Sequence, residues 1–335
     1  MSRVTKLLLL LLLLIAAALP AGWYGAAALL GHSFDSWVEN RRDNGFAIRH
    51  GEPELAGFPF GLDVSIAEPS IESPKGWRWA GPVLSGRSQV WEPLSIAVES
   101  PGRHDVTWGG PEAPLNLQLD ATTAAGEIEL SLDGKLEKAD AALTKVRAEG
   151  PLPGAVQIET LDLAYRTPAN GSPEPGDLLL TASEVELPAG IDPPLGPKIQ
   201  RLAVEGAVTG PLPDNASRQS LALWRDAGGF LDVQRFEILW GPLAMEAEGR
   251  LALDEELRPI GTLNASLRNG SAVIDILVEK RMIAERAAGA LKLAIFALSK
   301  DAGDGGPPLV ELPVNLREGL LYLGPVALFR LRPIR

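Results

Sequence analysis

The chain of 335 residues contains no cysteine. Disulfides, thiolate metal sites and cysteine nucleophiles are all excluded, and the fold must rest on its core alone. Histidine is nearly as scarce, with only His32, His50 and His104. His32 falls at the edge of an apolar run, His50 in an expected strand and His104 in an expected Gly/Pro-rich turn. None has His-x-x-Glu-His or Glu-x-x-His spacing, so the zinc-hydrolase signature is missing. The nearest string to a nucleophile elbow, Gly31-His32-Ser33-Phe34-Asp35, lacks the final glycine. Phosphate-cradling and dinucleotide-binding glycine motifs are absent too. Asp301 and Asp304 lack the remaining ligands of a calcium loop, and Asp254-Glu255-Glu256 reads as a solvated turn. No pattern calls for a cofactor or a metal. A net charge of −12, with no basic patch, makes nucleic acid a poor partner.

Glycine and proline are plentiful, at 35 and 28 residues. That favours many short elements joined by turns over a helical bundle. The other conspicuous feature is the uncharged run from Leu7 to Leu30, preceded by Arg3 and Lys6. As a helix it would reach roughly 36 Å at about 1.5 Å per residue, and a bilayer core needs about 20 residues. An uncleaved anchor is the expected reading. A cleaved signal peptide is the alternative, because Leu7–Leu19 alone fits an h-region and Ala18-Leu19-Pro20-Ala21 resembles a weak cleavage site. Arg3, Lys6 and the α-amine favour a cytoplasmic N-terminus, which places the remaining chain outside. Residues 1–32 are thus expected to anchor a β-rich domain over 33–335. The Pro/Gly/Ser-rich stretch 168–176 is the best divide within that domain.

After Gly45 the hydrophobic period becomes two. Leu62-Asp63-Val64-Ser65-Ile66, Leu115-Asn116-Leu117-Gln118-Leu119 and Ile128-Glu129-Leu130-Ser131-Leu132 alternate apolar with polar residues. So does Ile158-Glu159-Thr160-Leu161-Asp162-Leu163, and similar stretches recur to residue 267. The pattern predicts one-face-buried strands in a meandering antiparallel sheet. The fold class is mainly β with a few helices: a long curved, groove-like sheet plus the N-terminal transmembrane helix. Helices are expected over 33–44, Ser217–Gly228 and Ser271–Lys300. The last carries the stripe Leu277, Ala284, Ala288, Leu291, Ile295 and Leu298. It covers one face or end of the sheet, or contacts lipid. Ala148–Pro153 is echoed at Val208–Pro213, each string closing a strand. Trp77, Trp79, Trp91, Trp108, Trp224 and Trp240 read as core or turn plugs, or as an aromatic surface for acyl chains or glycans.

The N-anchor, Leu55-Ala56-Gly57-Phe58-Pro59-Phe60 leading into a strand, and the Trp-Gly-Pro string Trp240-Gly241-Pro242 carry a resemblance. So do Glu248–Asp254, Pro259-Ile260-Gly261 and the closing Leu320–Leu323 with Gly324-Pro325. Together they resemble a domain-of-unknown-function family of alphaproteobacterial envelope proteins. The pattern is also similar to the AsmA-like proteins of the inner membrane. That resemblance implies an elongated sheet with a lipid-facing groove and a role in phospholipid traffic or outer-membrane homeostasis. This chain is far shorter than members that bridge the periplasm. The motif residues Gly57, Phe58, Pro59, Phe60, Trp240, Gly241, Pro242, Gly324 and Pro325 carry no assigned role. Three functions stay open: lipid handling, a scaffold binding another envelope protein, and an enzyme whose site is dispersed over distant strands. The expected partners are the inner membrane through residues 7–30 and either phospholipid or an envelope protein.

Overall fold

The structure, a computed structural model, describes residues 3–331 and 333 apart from 75, 109–113, 132–135, 168–175, 211–217, 301–306 and 324–325; the side chains of 3–19, 326, 328 and 329 also lie outside the description. Helix α1 (Arg3–Asp43) comes first. Ten short strands follow: β1 (Ala47–Arg49), β2 (Glu54–Ala56), β3 (Gly61–Ala67), β4 (Ser70–Glu72), β5 (Arg78–Ala80), β6 (Val83–Gln89), β7 (Glu92–Glu99), β8 (Gly102–Trp108), β9 (Leu115–Ala121) and β10 (Thr123–Leu130). Longer strands succeed them: β11 (Leu136–Glu149), β12 (Ala155–Arg166), β13 (Gly176–Glu186) and β14 (Lys198–Thr209). After α2 (Arg218–Asp226) come β15 (Phe230–Trp240), β16 (Leu243–Leu253) and β17 (Pro259–Arg268). Helices α3 (Gly270–Glu279) and α4 (Glu285–Leu298) precede β18 (Ser299–Lys300), β19 (Leu309–Arg317), β20 (Leu320–Leu323) and β21 (Val326–Arg330).

All the strands join one antiparallel sheet. The short strands are halves of longer, bent ones. β9 and β10 both lie against β11, β8 pairs with β9 while β7 pairs with β10, and β5 and β6 repeat the arrangement on β8 and β7. The same holds for β3 with β4 and for β1 with β2. The bends are aligned and stitched across neighbours by Gly51 N–H to Ala67 O (2.8 Å), Glu68 N–H to Pro82 O (2.9 Å) and Ser100 N–H to Ala124 O (2.9 Å). Proline cannot donate to a ladder, so Glu68-Pro69, Gly81-Pro82 and Pro101-Gly102 crease the strands without ending them. The first half is therefore a simple meander with a Gly/Pro crease. His104, expected in a turn, lies just past the crease in β8. His50, expected in a strand, directly follows β1.

Strand register identifies the two faces. One row runs Ala141, Leu163, Leu180, Val204, Phe236 and Ala247. A neighbouring row on the same face joins Ile128, Ala139, Tyr165 and Leu178. Rows offset by one residue are charged instead: Glu129, Lys138, Arg166 and Asp177. Lys138 bridges Glu127, Glu129 and Asp140 there at 3.5, 2.9 and 3.2 Å. These carboxylates hold the ammonium pKa well above its ordinary value, chiefly by hydrogen bonds to Glu129 and Asp140.

The apolar face is covered at two places. Toward the C-terminus, α3 and α4 bury Ile274, Leu277, Leu291 and Ile295 against Ala265, Leu267, Val310 and Leu312. The expected single helix over 271–300 is broken between them. Lys280 ends α3, Arg281 turns left-handed at φ 57°, and the Leu277 carbonyl accepts from Met282 and Ile283. Toward the N-terminus, α1 packs Trp23 and Ala27 on Leu62, and Trp23 Nε1 donates to Gly61 O at 2.6 Å. The helix expected over 33–44 is the last part of α1. Among the described residues, no helix is long and apolar enough to cross a membrane. The side chains of residues 7–19, the first part of the apolar run, lie outside the description.

Candidate functional site

Between its two helical covers the apolar face is bare, and it is concave. One hollow of about 550 Å³ extends from Trp79, Val106 and Leu119 across Ala141 to Leu163 and Leu178. A second, of about 540 Å³, lies between α1 (Ala26, Leu29, Leu30) and Leu62, Val64, Leu84, Pro93 and Ile96. Both include Val98 and Ile128, so they form one trough. Each volume falls in the range of about 300–1,000 Å³ typical of ligand sites. The wall is made by alternation. In β12, Leu161, Leu163 and Tyr165 alternate onto this face while Asp162 and Arg166 project to the charged side. Small residues deepen the floor: Ala125, Gly126, Ala139 and Ala141 follow one another around it. At Gly126 a Cβ would come within 2.0 Å of Asp140 O, so β10 and β11 approach there as only glycine permits.

The trough's polar lining is sparse. His104 is buried, stacks on Trp79 at 6.0 Å, and uses Nε2 to donate to Ser100 O at 2.7 Å. The carbonyl can only accept, so the proton sits on Nε2. Ser100 Oγ in turn donates to Val83 O. Polar atoms on the floor are thus spent on the crease, and what remains exposed is hydrocarbon: Leu163 and Leu178 are each 37% exposed. Such a surface is suited to an apolar chain and offers little for acid–base chemistry. A further hollow, lined by Arg235, Glu246, Glu248 and Glu311, lies on the charged face. Among the described residues, no group of three or more His, Asp or Glu side chains is placed to hold a metal.

The motif residues read from the sequence do not assemble into one site. Gly57, Phe58, Pro59 and Phe60 form the turn joining β2 to β3. Gly57 has φ 95°, and a Cβ there would lie 2.7 Å from Gly61 O. Phe58 packs edge-on to Trp23 at 5.7 Å. Trp240, Gly241 and Pro242 form the β15–β16 turn at the opposite end of the strands. Trp240 Nε1 donates to Gly196 O at 2.7 Å, and Asn269 Nδ2 donates to Pro242 O at 2.9 Å. Gly324 and Pro325 lie outside the described residues. The two echoing Gly-Pro strings close β11 and β14 at opposite ends of the sheet, although 211–213 fall outside the description. The tryptophans divide as well. Trp224 plugs a turn, donating to Thr209 O at 3.0 Å, Trp79 lines the trough, and Trp91 is 67% exposed. Reading the sequence one strand at a time missed the trough residues of β11–β13. Their alternation was the available signal, but it names two faces without saying which is concave.

Residues 23–332 match the bacterial family described as "Uncharacterized protein conserved in bacteria (DUF2125)", and the chain belongs to that family. Comparisons with curated proteins and with solved structures found no match.

Proposed function

We propose that the protein is anchored in the bacterial inner membrane by residues 7–30 and handles lipid on the periplasmic side, with an acyl chain lying in the trough. The observation that carries this reading is the bare apolar concavity between α1 and the α3–α4 cover. A soluble domain rarely leaves a large contiguous apolar patch open without a partner. Each methylene buried from water contributes about 0.8 kcal/mol, so an acyl chain gains without needing a directed polar contact. The alphaproteobacterial origin and the likeness to AsmA-like proteins belong to the same proposal.

The test is native mass spectrometry of the full-length protein released from mild detergent. Leu163 lies between Ala141 and Leu180 in the apolar row. Leu163→Glu should reduce phospholipid adducts by roughly tenfold or more, because a carboxylate beside the chain must be desolvated. Leu163→Met should retain them, and so should Asp162→Ala on the charged face. Equal lipid on Leu163→Glu and the native protein, with unchanged circular dichroism, would exclude the trough. A second reading is a protein-binding role through β21, which pairs only with β20 among the described residues and leaves an edge open. In-cell cross-linking through β21 would recover an envelope protein in that case.

A further inference from the structure

The Gly57–Phe60 turn and the Val90–Trp91 turn lie side by side, with Val90 N–H donating to Phe60 O at 3.0 Å. Around them stand four aromatic side chains, each more than half exposed: Tyr24, Phe58, Phe60 and Trp91. They are in mutual contact in two groups. Tyr24 and Phe58 lie 6.4 Å apart about Trp23, and Phe60 lies 6.3 Å from Trp91. A folded protein has no internal reason to leave such a cluster in water, and it is not scattered. Its position is informative. α1 passes from Trp23 at this end of the sheet to Val38 and Arg42, where Arg42 Nη2 donates to Ile48 O at 2.9 Å. The uncharged run before Trp23 therefore enters the fold at the end where the aromatics cluster. The trough comes to the same end, since Val90, Pro93 and Leu30 line it beside Trp91.

We propose that Tyr24, Phe58, Phe60 and Trp91 form a collar seated in the headgroup–acyl boundary of the membrane, so that the trough opens at the bilayer surface. The proposal rests on the anchored reading above and names the surface that follows from it. Aromatic rings with a large apolar body favour this boundary. The charges nearby argue that the contact is apolar. Glu54 and Glu92 are exposed beside the turns, and the Arg87 guanidinium is engaged with Asp63 at 3.0 Å. An acidic chain gains no electrostatic attraction to anionic headgroups, so seating should not weaken as salt rises.

The absence of cysteine supplies the experiment. The full chain is reconstituted in phosphatidylethanolamine/phosphatidylglycerol vesicles with a nitroxide on a single introduced cysteine, Phe60→Cys or Trp91→Cys. Trp108→Cys serves as the control, an exposed aromatic position at the opposite end of the strands. Collision with dissolved oxygen and with a water-soluble nickel chelate reports depth. Labels at 60 and 91 should collide several-fold more with oxygen, and several-fold less with the chelate, than the label at 108, in low and high salt alike. Labels at 60 and 91 as accessible to the chelate as the label at 108 would overturn the collar. Leu13→Cys, placed in the apolar run, reports the anchor separately. A lipid-buried label at 13 with wet labels at 60 and 91 keeps the anchor and discards the collar. A wet label at 13 discards the anchor, and the labels at 60 and 91 still decide the collar.

Discussion

Gly261 has φ 149°, and a Cβ placed on it would lie 2.0 Å from Arg250 O across the β16–β17 ladder. Neither the dihedral nor the approach tolerates a side chain, so Gly261→Ala should cost at least about 2 kcal/mol in chemical unfolding. Gly228, at φ 79° with no atom near its missing Cβ, is a fair comparison. Gly228→Ala bears only the backbone strain, about 1 kcal/mol. A different constraint operates at Asp254, where Oδ1 accepts from the N–H groups of Glu256 and Arg258 at 3.0 and 2.8 Å. Oδ2 accepts from Arg258 Nε at 2.7 Å. Burial pushes this carboxyl up, but the Arg258 and Glu256 hydrogen bonds and the guanidinium together hold it below its ordinary value. A depressed folded pKa contributes stability that is present above the unfolded value near ~3.9 and lost as pH falls through the folded one. Asp254→Asn should therefore unfold at a lower temperature than the native chain at pH 7, and the gap should close in acid. A gap that persists below the carboxylate range would assign the effect to geometry, not charge. The sequence showed this loop as a run of acids. It could not show that the first acid folds back over the turn and pins Leu257, buried at φ 63°.

At the scale of elements, α3 and α4 show how a correct stripe can hide a break. Leu277, Ala288, Leu291 and Ile295 are buried as their spacing implies. The step of seven between Leu277 and Ala284 carried the periodicity straight across the turn at Arg281, so periodicity alone could not detect it. The break changes the membership: Ile283 enters the core while Ala284 and Leu298 are exposed. Leu291→Ala should cost about 2–5 kcal/mol, since it empties space against the sheet. Phe296→Ala, at 83% exposure on the same helix, should stay within about 0.5 kcal/mol. Paired urea titrations compare them directly, and equal losses would mean that α4 presents a different face. The crease has the same lesson. Gly81-Pro82 and Pro101-Gly102 carry true punctuation chemistry, and a local reading ends the strand at each. Only the pairing of β8 with β9 and of β7 with β10 shows that the strand continues past the bend.

At the scale of the whole molecule, the alternating strands made an antiparallel meander legible from the sequence. The trough depends on registers between residues far apart in the chain, and no local period records them. The Pro/Gly/Ser-rich stretch 168–176 tests how far the sheet behaves as a unit. Residues 168–175 lie outside the description, but the strands on either side of them are paired from Gln157 with Glu186 to Arg166 with Asp177. Both apolar rows pass through that ladder without interruption, from Leu163 to Leu180 and from Tyr165 to Leu178. Separating the halves would expose two long edge strands with an apolar face, which is a strong invitation to aggregate. A protease site inserted within 168–175 should therefore yield a nicked protein whose two pieces co-elute under native conditions and melt in one transition. Pieces that separate while keeping their circular dichroism would instead establish two independent halves. The trough crosses this junction, with Ala141 on one side and Leu178 on the other. If the halves part, lipid adducts should be lost with them, because neither half retains the whole apolar wall.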